Sequence, residues 1–159
     1  WGPARGRGHC DTAPAAGVRV FSEDTSDQMR RLLRLVVEDG TGKKADAKGY
    51  LVGGKTGTAE KELNGSYKRD ALISTFVGVY PMTAPRFVVF AMLDEPKGIK
   101  ESYGFATGGW TAAPVVRAVV ARMAPLYGIA PLDETAPDIR QAINISAQPA
   151  IGNRSDAVN

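Results

Sequence analysis

The sequence predicts an α+β fold in which three antiparallel strands are flanked by helices. Apolar residues recur at helical spacing in the segment 22–40, and the same spacing returns from Thr111 onward. Between these segments, 72–80 and 87–93 are β-branched and aromatic runs joined by a short loop, which is typical of an antiparallel pair. The glycine-rich stretch 50–61 supplies the third strand.

The first helix has a clear start and a clear end. Ser22 precedes two acidic residues and can accept a hydrogen bond from the first turn, and Gly40 ends the periodic run. Residues at i, i+3, i+4, i+7 and i+8 form its predicted apolar stripe: Met29, Leu32, Leu33, Val36 and Val37. Three arginines fall on the opposite face, which we expect to be solvated: Arg30, Arg31 and Arg34.

The second helix follows a loop rich in glycine and aromatic residues. Thr111 precedes the helical pattern, and Pro114 is tolerated in the first turn. Its predicted apolar stripe consists of Val115, Val116, Val119, Val120 and Met123. The loop 103–110 ends on Trp110, and it forms either a wall of a peptide-binding groove or an aromatic plug of the core.

Composition limits the possible functions. The chain has 159 residues, 43% of them hydrophobic, and can bury one core. The net charge of +3 comes from interspersed basic and acidic residues, which argues against a nucleic-acid partner. No apolar run is long enough to span a membrane. Cys10 has no disulfide partner, His9 is the only histidine, and we expect no metal or cofactor.

The segment Gly53-Gly54-Lys55-Thr56-Gly57-Thr58 fits two different chemistries. Residues Gly49 to Thr56 match the pattern of a phosphate-binding P-loop. However, the charged stretch 39–48 precedes this pattern and Gly57 follows it, so that neither a buried strand before it nor a helix after it is indicated. Nucleotide binding therefore remains the weaker interpretation.

The stronger interpretation is an extended strand that borders an acyl-transfer site. Glycines in a strand allow a peptide to approach the backbone closely. The ammonium of Lys55 and the hydroxyls of Thr56 and Thr58 are donors for a carboxylate, and a backbone N–H can stabilise an oxyanion. A glycine-rich strand kinked for packing is the alternative without a function.

Five segments give the chain a close resemblance to the C-terminal part of the transpeptidase domain of class B penicillin-binding proteins, the septal cell-division kind in particular. They are Gly-Thr-Gly-Lys-Lys at 40–44, Gly-Gly-Lys-Thr-Gly-Thr-Ala-Glu-Lys at 53–61, Ser-Thr-Phe-Val-Gly at 74–78, Pro-Arg-Phe-Val-Val at 85–89, and Gly-Gly-Trp-Thr-Ala-Ala-Pro-Val at 108–115.

The resemblance implies a role for each residue of the central motif. Lys55 would tune the electrostatics beside a nucleophilic serine, and Thr56 would bind the carboxylate of a peptide or of a β-lactam. Thr58 would serve the oxyanion hole through its backbone N–H, and Gly57 would give access. Serine β-lactamases share the fold and the Lys-Thr-Gly triplet, so a hydrolase is the nearest alternative; a non-catalytic binding module is a further one.

One departure from the family is large. Its nucleophile lies in Ser-x-x-Lys and its second motif is Ser-x-Asn, and this chain contains neither. We therefore expect a C-terminal fragment whose nucleophile is absent from the chain, and which alone is inactive. Within it we expect a disordered arm or artificial remnant at 1–17, the transpeptidase part at 18–131 and a polar tail at 132–159.

The resemblance also implies partners and a location. The intact enzyme would bind the stem peptide of peptidoglycan and β-lactams at the periplasmic face of the bacterial inner membrane, held there by an anchor outside this chain. In the family, another strand pairs with the one matching 87–93 and a helical region covers the open face of the sheet. We therefore expect this fragment to self-associate or to pair with the missing part.

Overall fold

The computed structural model describes residues 17–63 and 66–143, and a three-stranded antiparallel sheet lies at its centre. The strands are β1 (Gly53–Leu63), β2 (Ser66–Tyr80) and β3 (Phe87–Asp94), in the order β1-β2-β3. The described residues also form three α-helices, of which two pack on the sheet and the last packs on the first: α1 (Glu23–Glu38), α2 (Ala112–Leu126) and α3 (Pro137–Ile143). The predicted α+β fold with three antiparallel strands is confirmed.

Helix α2 covers one face of the sheet, as its apolar pattern predicts. It packs across β2 and β3, with Val116 and Val120 fully buried against Phe76. Alternate residues of β3 face this core while the residues between them are exposed, which is the period-two pattern of a strand covered on one side. Val115, expected on the buried stripe, is instead 43% exposed.

The start of α1 is confirmed, but its buried face is only partly the predicted one, with Val37 buried and Leu33 and Val36 half-buried. Ser22 caps the helix by accepting a hydrogen bond from the backbone N–H of Thr25 at 3.1 Å. Met29 and Leu32 are about half exposed, whereas Arg34 is only 1% exposed. The prediction that Arg34 lies on a solvated face is therefore wrong, because three carboxylates and a carbonyl surround its guanidinium.

Those partners form the Arg34 cluster, which we define as Arg34 with Glu38, Asp46, Glu134 and the carbonyl of Val52. The guanidinium donates to Glu38 at 3.0 Å, Asp46 at 2.8 Å, Glu134 at 3.3 Å and the Val52 carbonyl at 2.9 Å. A buried guanidinium is tolerated only when its donors are satisfied in this way. Because Val52 directly precedes β1, the cluster fixes where that strand begins.

Lys48 adds a second cation to the edge of this cluster. Its Nζ lies 2.7 Å from Asp46 and 3.9 Å from Glu134. Burial alone would raise the pKa of the Asp46 carboxyl, but hydrogen bonds from Lys48 and Arg34 outweigh it and hold that pKa below its ordinary value. The carboxylate therefore stays ionised and paired under neutral conditions.

Strand β1 begins later than the sequence indicates. The prediction placed Tyr50, Leu51 and Val52 in the strand, but the ladder with β2 starts at Gly53. Leu51 has a φ of 46°, a left-handed conformation that no regular strand contains. Burial explains this, because Leu51 packs with Met82 and Ile143 in a small second core, and the turn before β1 delivers it there.

The chain continues in regular structure beyond Pro131. Within the segment 132–159, which the sequence predicts to be a polar tail, Pro137–Ile143 form α3, which packs against α1 and buries Ile143. The segment between α2 and α3 forms two hydrogen bonds with Gly49: the N–H of Leu132 donates to the Gly49 carbonyl at 2.8 Å, and the N–H of Gly49 donates to the side-chain oxygen Oε1 of Glu134 at 2.6 Å. Residues 144–159 lie outside the described part.

The second face of the sheet is apolar and uncovered among the described residues. Val88, Phe90 and Met92 are 69%, 58% and 62% exposed, and Val77 stands beside them on β2. We call these four residues the open sheet face. Soluble proteins rarely leave contiguous apolar surface of this kind without a binding partner. Among the described residues, no helix has the length and apolarity that a membrane crossing requires.

Candidate active site at the edge of β1

The Lys-Thr-Gly-Thr motif lies on a sheet edge, since in the described part of the chain β1 pairs with β2 alone. Its side chains alternate between the two faces of the sheet. Lys55 and Gly57 stand opposite Val77 and Thr75, whereas Thr56 and Thr58 stand opposite Phe76 and Ser74. The structure therefore places Lys55 on the side of the open sheet face and the two hydroxyls on the side of α2.

Lys55 nevertheless reaches around the strand edge toward the threonines. Its Nζ donates to the carbonyl of Thr56 at 2.9 Å and lies 3.5 Å from Thr56 Oγ1. The first contact is an ordinary hydrogen bond, and the second is at the limit of one. The cation thus stands at the edge between the two faces, where it raises the electrostatic potential around the Thr56 hydroxyl.

The Thr56 hydroxyl has a partner that the motif does not contain. Thr41, in the turn after α1, places its Oγ1 2.9 Å from Thr56 Oγ1. The backbone N–H of Gly42 donates to the Val36 carbonyl at 2.9 Å and holds this turn against the helix end. The segment Gly-Thr-Gly-Lys-Lys, which resembles the family, therefore delivers a third hydroxyl to the site.

Thr58 is held by the loop that precedes α2. Its Oγ1 accepts a hydrogen bond from the backbone N–H of Gly108 at 3.1 Å. A Cβ on Gly108 would lie 2.2 Å from the Thr75 carbonyl oxygen, and one on Gly109 would lie 2.3 Å from that of Thr41. Both contacts are with backbone atoms that cannot yield, so the site requires glycine at both positions.

Gly57 is explained by packing within the sheet. A Cβ there would lie 2.4 Å from Thr75 Oγ1 on the neighbouring strand. A larger residue would have to displace that hydroxyl or push the strands apart. The predicted role of Gly57 in substrate access stays a prediction beside this packing role.

These groups line a groove of about 310 Å³, bounded by Thr41, Thr56, Thr58, Thr107, Gly109 and Trp110. The volume is at the lower end of that of small-molecule sites. The hydroxyls occupy one wall, and the indole of Trp110 forms another. The sequence left the role of Trp110 open, and the structure places it in the groove wall.

Trp110 is held in place by other aromatic rings and a lysine. Phe105 stacks on it with centroids 5.9 Å apart, and Tyr103 meets it edge-on at 5.7 Å. Lys44 Nζ stands 4.3 Å from the ring centroid, within cation–π range. Tyr103 is 80% exposed, so this aromatic cluster is a surface wall rather than a plug of the core.

The structure excludes the phosphate-loop geometry for residues 49–56. A P-loop turns its backbone N–H groups toward the phosphates and starts a helix at its Lys-Thr. Here Lys55 and Thr56 lie within β1, in the ladder with Val77 and Phe76. The segment therefore has no anion cradle at a helix N-terminus.

The sequence identified part of this site and missed part. Lys55, Thr56, Gly57 and Thr58 were all predicted, and all four lie on β1, where Thr56 and Thr58 line the groove and Lys55 reaches Thr56 from the strand edge. Their functional roles stay predictions. The missed groups are the hydroxyl of Thr41 and the backbone N–H of Gly108. Both lie in segments that carry the resemblance, but long-range contacts of this kind, 15 and 50 residues apart, have no local sequence signal.

An edge strand that presents a cation and two hydroxyls beside an aromatic wall can donate hydrogen bonds and a positive charge to an anionic group. A family model described as "Penicillin binding protein transpeptidase domain" matches residues 9–121. The chain belongs to this family. The match reaches residue 9, and the description of 1–17 as an arm stays a prediction because residues 1–16 are not described.

The names of similar proteins agree with this assignment. The chain is 44% identical over 122 residues to a probable peptidoglycan D,D-transpeptidase FtsI of Caulobacter vibrioides, covering 71% of this chain and 21% of the relative. It is 41% identical over 119 residues to stage V sporulation protein D of Bacillus subtilis, covering 75% and 18% respectively. The chain thus spans about a fifth of the length of these relatives.

Solved structures give the same result. The transpeptidase domain of Burkholderia pseudomallei penicillin-binding protein 3 aligns with a TM-score of 0.65 at 38% identity, over 76% of this chain and 35% of that one. Penicillin-binding protein 3 of Mycobacterium tuberculosis, solved in complex with ampicillin, aligns with a TM-score of 0.65 at 29% identity, over 77% and 28%. The predicted family and fold are confirmed.

Proposed function

We propose that this chain provides the carboxylate-binding and oxyanion side of a peptidoglycan D,D-transpeptidase of the septal type. The observation that carries the proposal is the groove at the edge of β1, which Thr56 and Thr58 line and beside which Lys55 Nζ contacts Thr56. The names of the relatives supply the substrate class, a peptide that ends in two D-residues. A β-lactam offers the same site a carboxylate and a reactive carbonyl.

Each residue has a task in this proposal. The Thr56 hydroxyl donates to the terminal carboxylate, a charge-assisted hydrogen bond that is stronger than a neutral one. Lys55 stabilises the same charge and acts electrostatically on the nucleophile. The backbone N–H of Thr58 stabilises the oxyanion that forms when the carbonyl is attacked. Gly57 keeps the strand narrow enough for the peptide to lie along it.

The reaction needs a serine nucleophile, and we place it in the part of the family that this chain does not match. The serine oxygen attacks the carbonyl between the two D-residues, and the terminal D-residue leaves as a free amine. The acyl-enzyme is then attacked by an amine of a second stem peptide, which restores the serine and forms the cross-link. Peptidoglycan lies outside the inner membrane, so we place this chemistry at its periplasmic face.

The test uses a hybrid domain that supplies the missing nucleophile. Residues 18–131 replace the matching part of the Burkholderia pseudomallei transpeptidase domain. The rate of acylation by a fluorescent penicillin is measured from samples that are quenched at set times and separated on denaturing gels. Thr56→Val keeps the side-chain shape and removes one hydroxyl. We expect it to slow acylation by about ten- to a thousandfold, the range for a lost hydrogen bond to a charged group.

A matched threonine serves as the control. Thr83 lies in the β2–β3 loop away from the groove, and Thr83→Val should leave the acylation rate unchanged. If a folded Thr56→Val hybrid acylates at the parent rate, other residues bind the carboxylate. The hydrolase alternative is distinguished by the next step, because a β-lactamase would release the labelled acyl group within the assay while a transpeptidase would retain it.

A further inference from the structure

Thr41 contacts the site from outside the strand that carries the family motif. Its hydroxyl is 2.9 Å from that of Thr56, and it lines the same groove. Its main chain is fixed from two sides, by the Gly42 hydrogen bond to the end of α1 and by the close approach of Gly109. The position of the Thr41 hydroxyl is therefore set by the fold and not by a freely moving loop.

The contact between the two hydroxyls has two possible directions, because either oxygen can donate. A hydroxyl carries one proton and accepts through two lone pairs. If Thr56 donates to Thr41, no proton remains for a ligand. If Thr41 donates to Thr56, the Thr56 proton is free to point into the groove.

The surroundings of Thr56 favour the second direction. The ammonium of Lys55 lies 3.5 Å from Thr56 Oγ1, and a nearby cation favours an orientation in which the oxygen faces it and the proton points away. Thr58 follows the same arrangement, because the Gly108 N–H occupies one of its lone pairs and leaves its proton free. The Thr56 hydroxyl thus accepts from Thr41 and the Thr58 hydroxyl accepts from the Gly108 N–H, so that each can donate its own proton to a ligand.

We propose that Thr41 is a positioning residue that donates its proton to Thr56 Oγ1 and thereby directs the Thr56 proton to the carboxylate of the ligand. The proposal rests on the carboxylate-binding role given to Thr56 above. It assigns Thr41 an effect that depends on the charge of the ligand terminus, because a hydrogen bond from Thr56 to a carboxylate is charge-assisted and stronger than one to the neutral oxygen of an amide.

The test uses the chain as it stands, with isotope-labelled threonine methyl groups followed by NMR. The probes are N-acetyl-D-alanyl-D-alanine and the same dipeptide with a C-terminal amide in place of the carboxylate. Thr41→Val keeps the shape and removes the donor, and Thr41→Ser keeps the donor. Thr83→Val is the matched control away from the groove.

We expect Thr41→Val to weaken binding of the carboxylate dipeptide by about three- to tenfold, the range of one neutral hydrogen bond. Binding of the amide should change by less than a factor of two, and Thr41→Ser should restore the affinity of the original chain. Equal weakening for both dipeptides, or no weakening for either, would overturn the proposal, as would a failure of Thr41→Ser to restore binding.

The control experiments separate this proposal from the one on which it rests. If the unchanged chain gives no saturable shift with the carboxylate dipeptide, the proposed carboxylate site itself is contradicted, and the role of Thr41 falls with it. If the unchanged chain binds and Thr41→Val binds equally well, the site stands and only the role of Thr41 is refuted. The amide and methyl spectra of each variant show whether it has kept the fold.

Discussion

Replacing Arg34 by methionine tests how the Arg34 cluster supports the start of β1. Methionine approximates the length of the side chain but donates no hydrogen bond. The change leaves the Val52 carbonyl without its donor and removes the cation shared by Glu38, Asp46 and Glu134. The matched control is Arg31→Met, on the same helix, where the arginine is partly exposed.

The expected magnitude follows from what remains after the change. Breaking a fully buried ion pair costs about 3–5 kcal/mol. Here the carboxylates keep some solvent, since the side chains of Asp46, Glu134 and Glu38 are 15%, 19% and 35% exposed, and Lys48 still pairs with Asp46. We therefore expect the lower end, about 3 kcal/mol of unfolding free energy, or roughly 10 °C in Tm.

The loss should depend on pH with a definite sign. The folded pKa of Asp46 lies below its ordinary value, so its contribution to stability is fully present above the unfolded pKa of about 4 and disappears as the pH falls through the folded value. Removing Arg34 weakens this contribution. The difference between the two proteins should therefore be constant near neutral pH and should shrink below about pH 4.

Urea unfolding followed by circular dichroism measures both effects, and native-state hydrogen exchange locates them. The amides at the start of β1 should lose protection in Arg34→Met before those of β3 do. Arg31→Met should cost less than about 0.5 kcal/mol, as surface substitutions do. If Arg34→Met costs no more than this control, or if its cost is the same below pH 4, the cluster does not stabilise the start of the strand.

Three further predictions follow from the sequence and the fold. After incubation with a fluorescent penicillin, the isolated chain should show no labelled band on a denaturing gel, because it contains no Ser-x-x-Lys. A labelled band would contradict the prediction that the nucleophile is absent from the chain. The open sheet face, together with the edge of β3 that pairs with no other described strand, should cause the chain to associate. Light scattering should show a molar mass that rises with concentration from the low micromolar range, and Phe90→Lys should reduce this rise. A monomer at every concentration would show that other residues cover the surface. Gly108→Ala should lower the unfolding free energy by about 1–3 kcal/mol through its collision with the Thr75 carbonyl, measured by urea titration. The control is Gly17→Ala, where no atom lies within 4 Å of the added Cβ and φ is not left-handed, and a cost no larger than that of the control would refute the close approach.

The helices and strands were largely predictable because their signals are local. The Ser22 cap, the β2–β3 loop and the first turn of α2 all lie where the sequence indicates. The buried face of α1 was predictable only in part, since Val37 of the predicted stripe is buried. Periodicity favoured Met29 and Leu32 for burial, but the structure buries Arg34, because carboxylates from distant segments satisfy it.

The candidate site was likewise predictable only where its residues have a local sequence signal. Glycine spacing and the Lys-Thr-Gly triplet identified the strand that carries it. The Thr41 hydroxyl and the Gly108 N–H enter only when the turn after α1 and the loop before α2 fold against β1. The helix α3 was missed because seven residues are too few to show a reliable apolar stripe, and its stability comes from packing on α1.

The hydrogen bonds between Gly49 and the segment around Glu134 affect the order in which parts of the chain can fold. Arg34 and Glu134 are 100 residues apart, and Gly49 and Glu134 are 85 apart. During synthesis, helix α1 and the sheet leave the ribosome long before Glu134 does. The guanidinium acquires its last carboxylate only when the C-terminal segment returns, so the start of the site-bearing strand is among the last parts of the molecule to be completed.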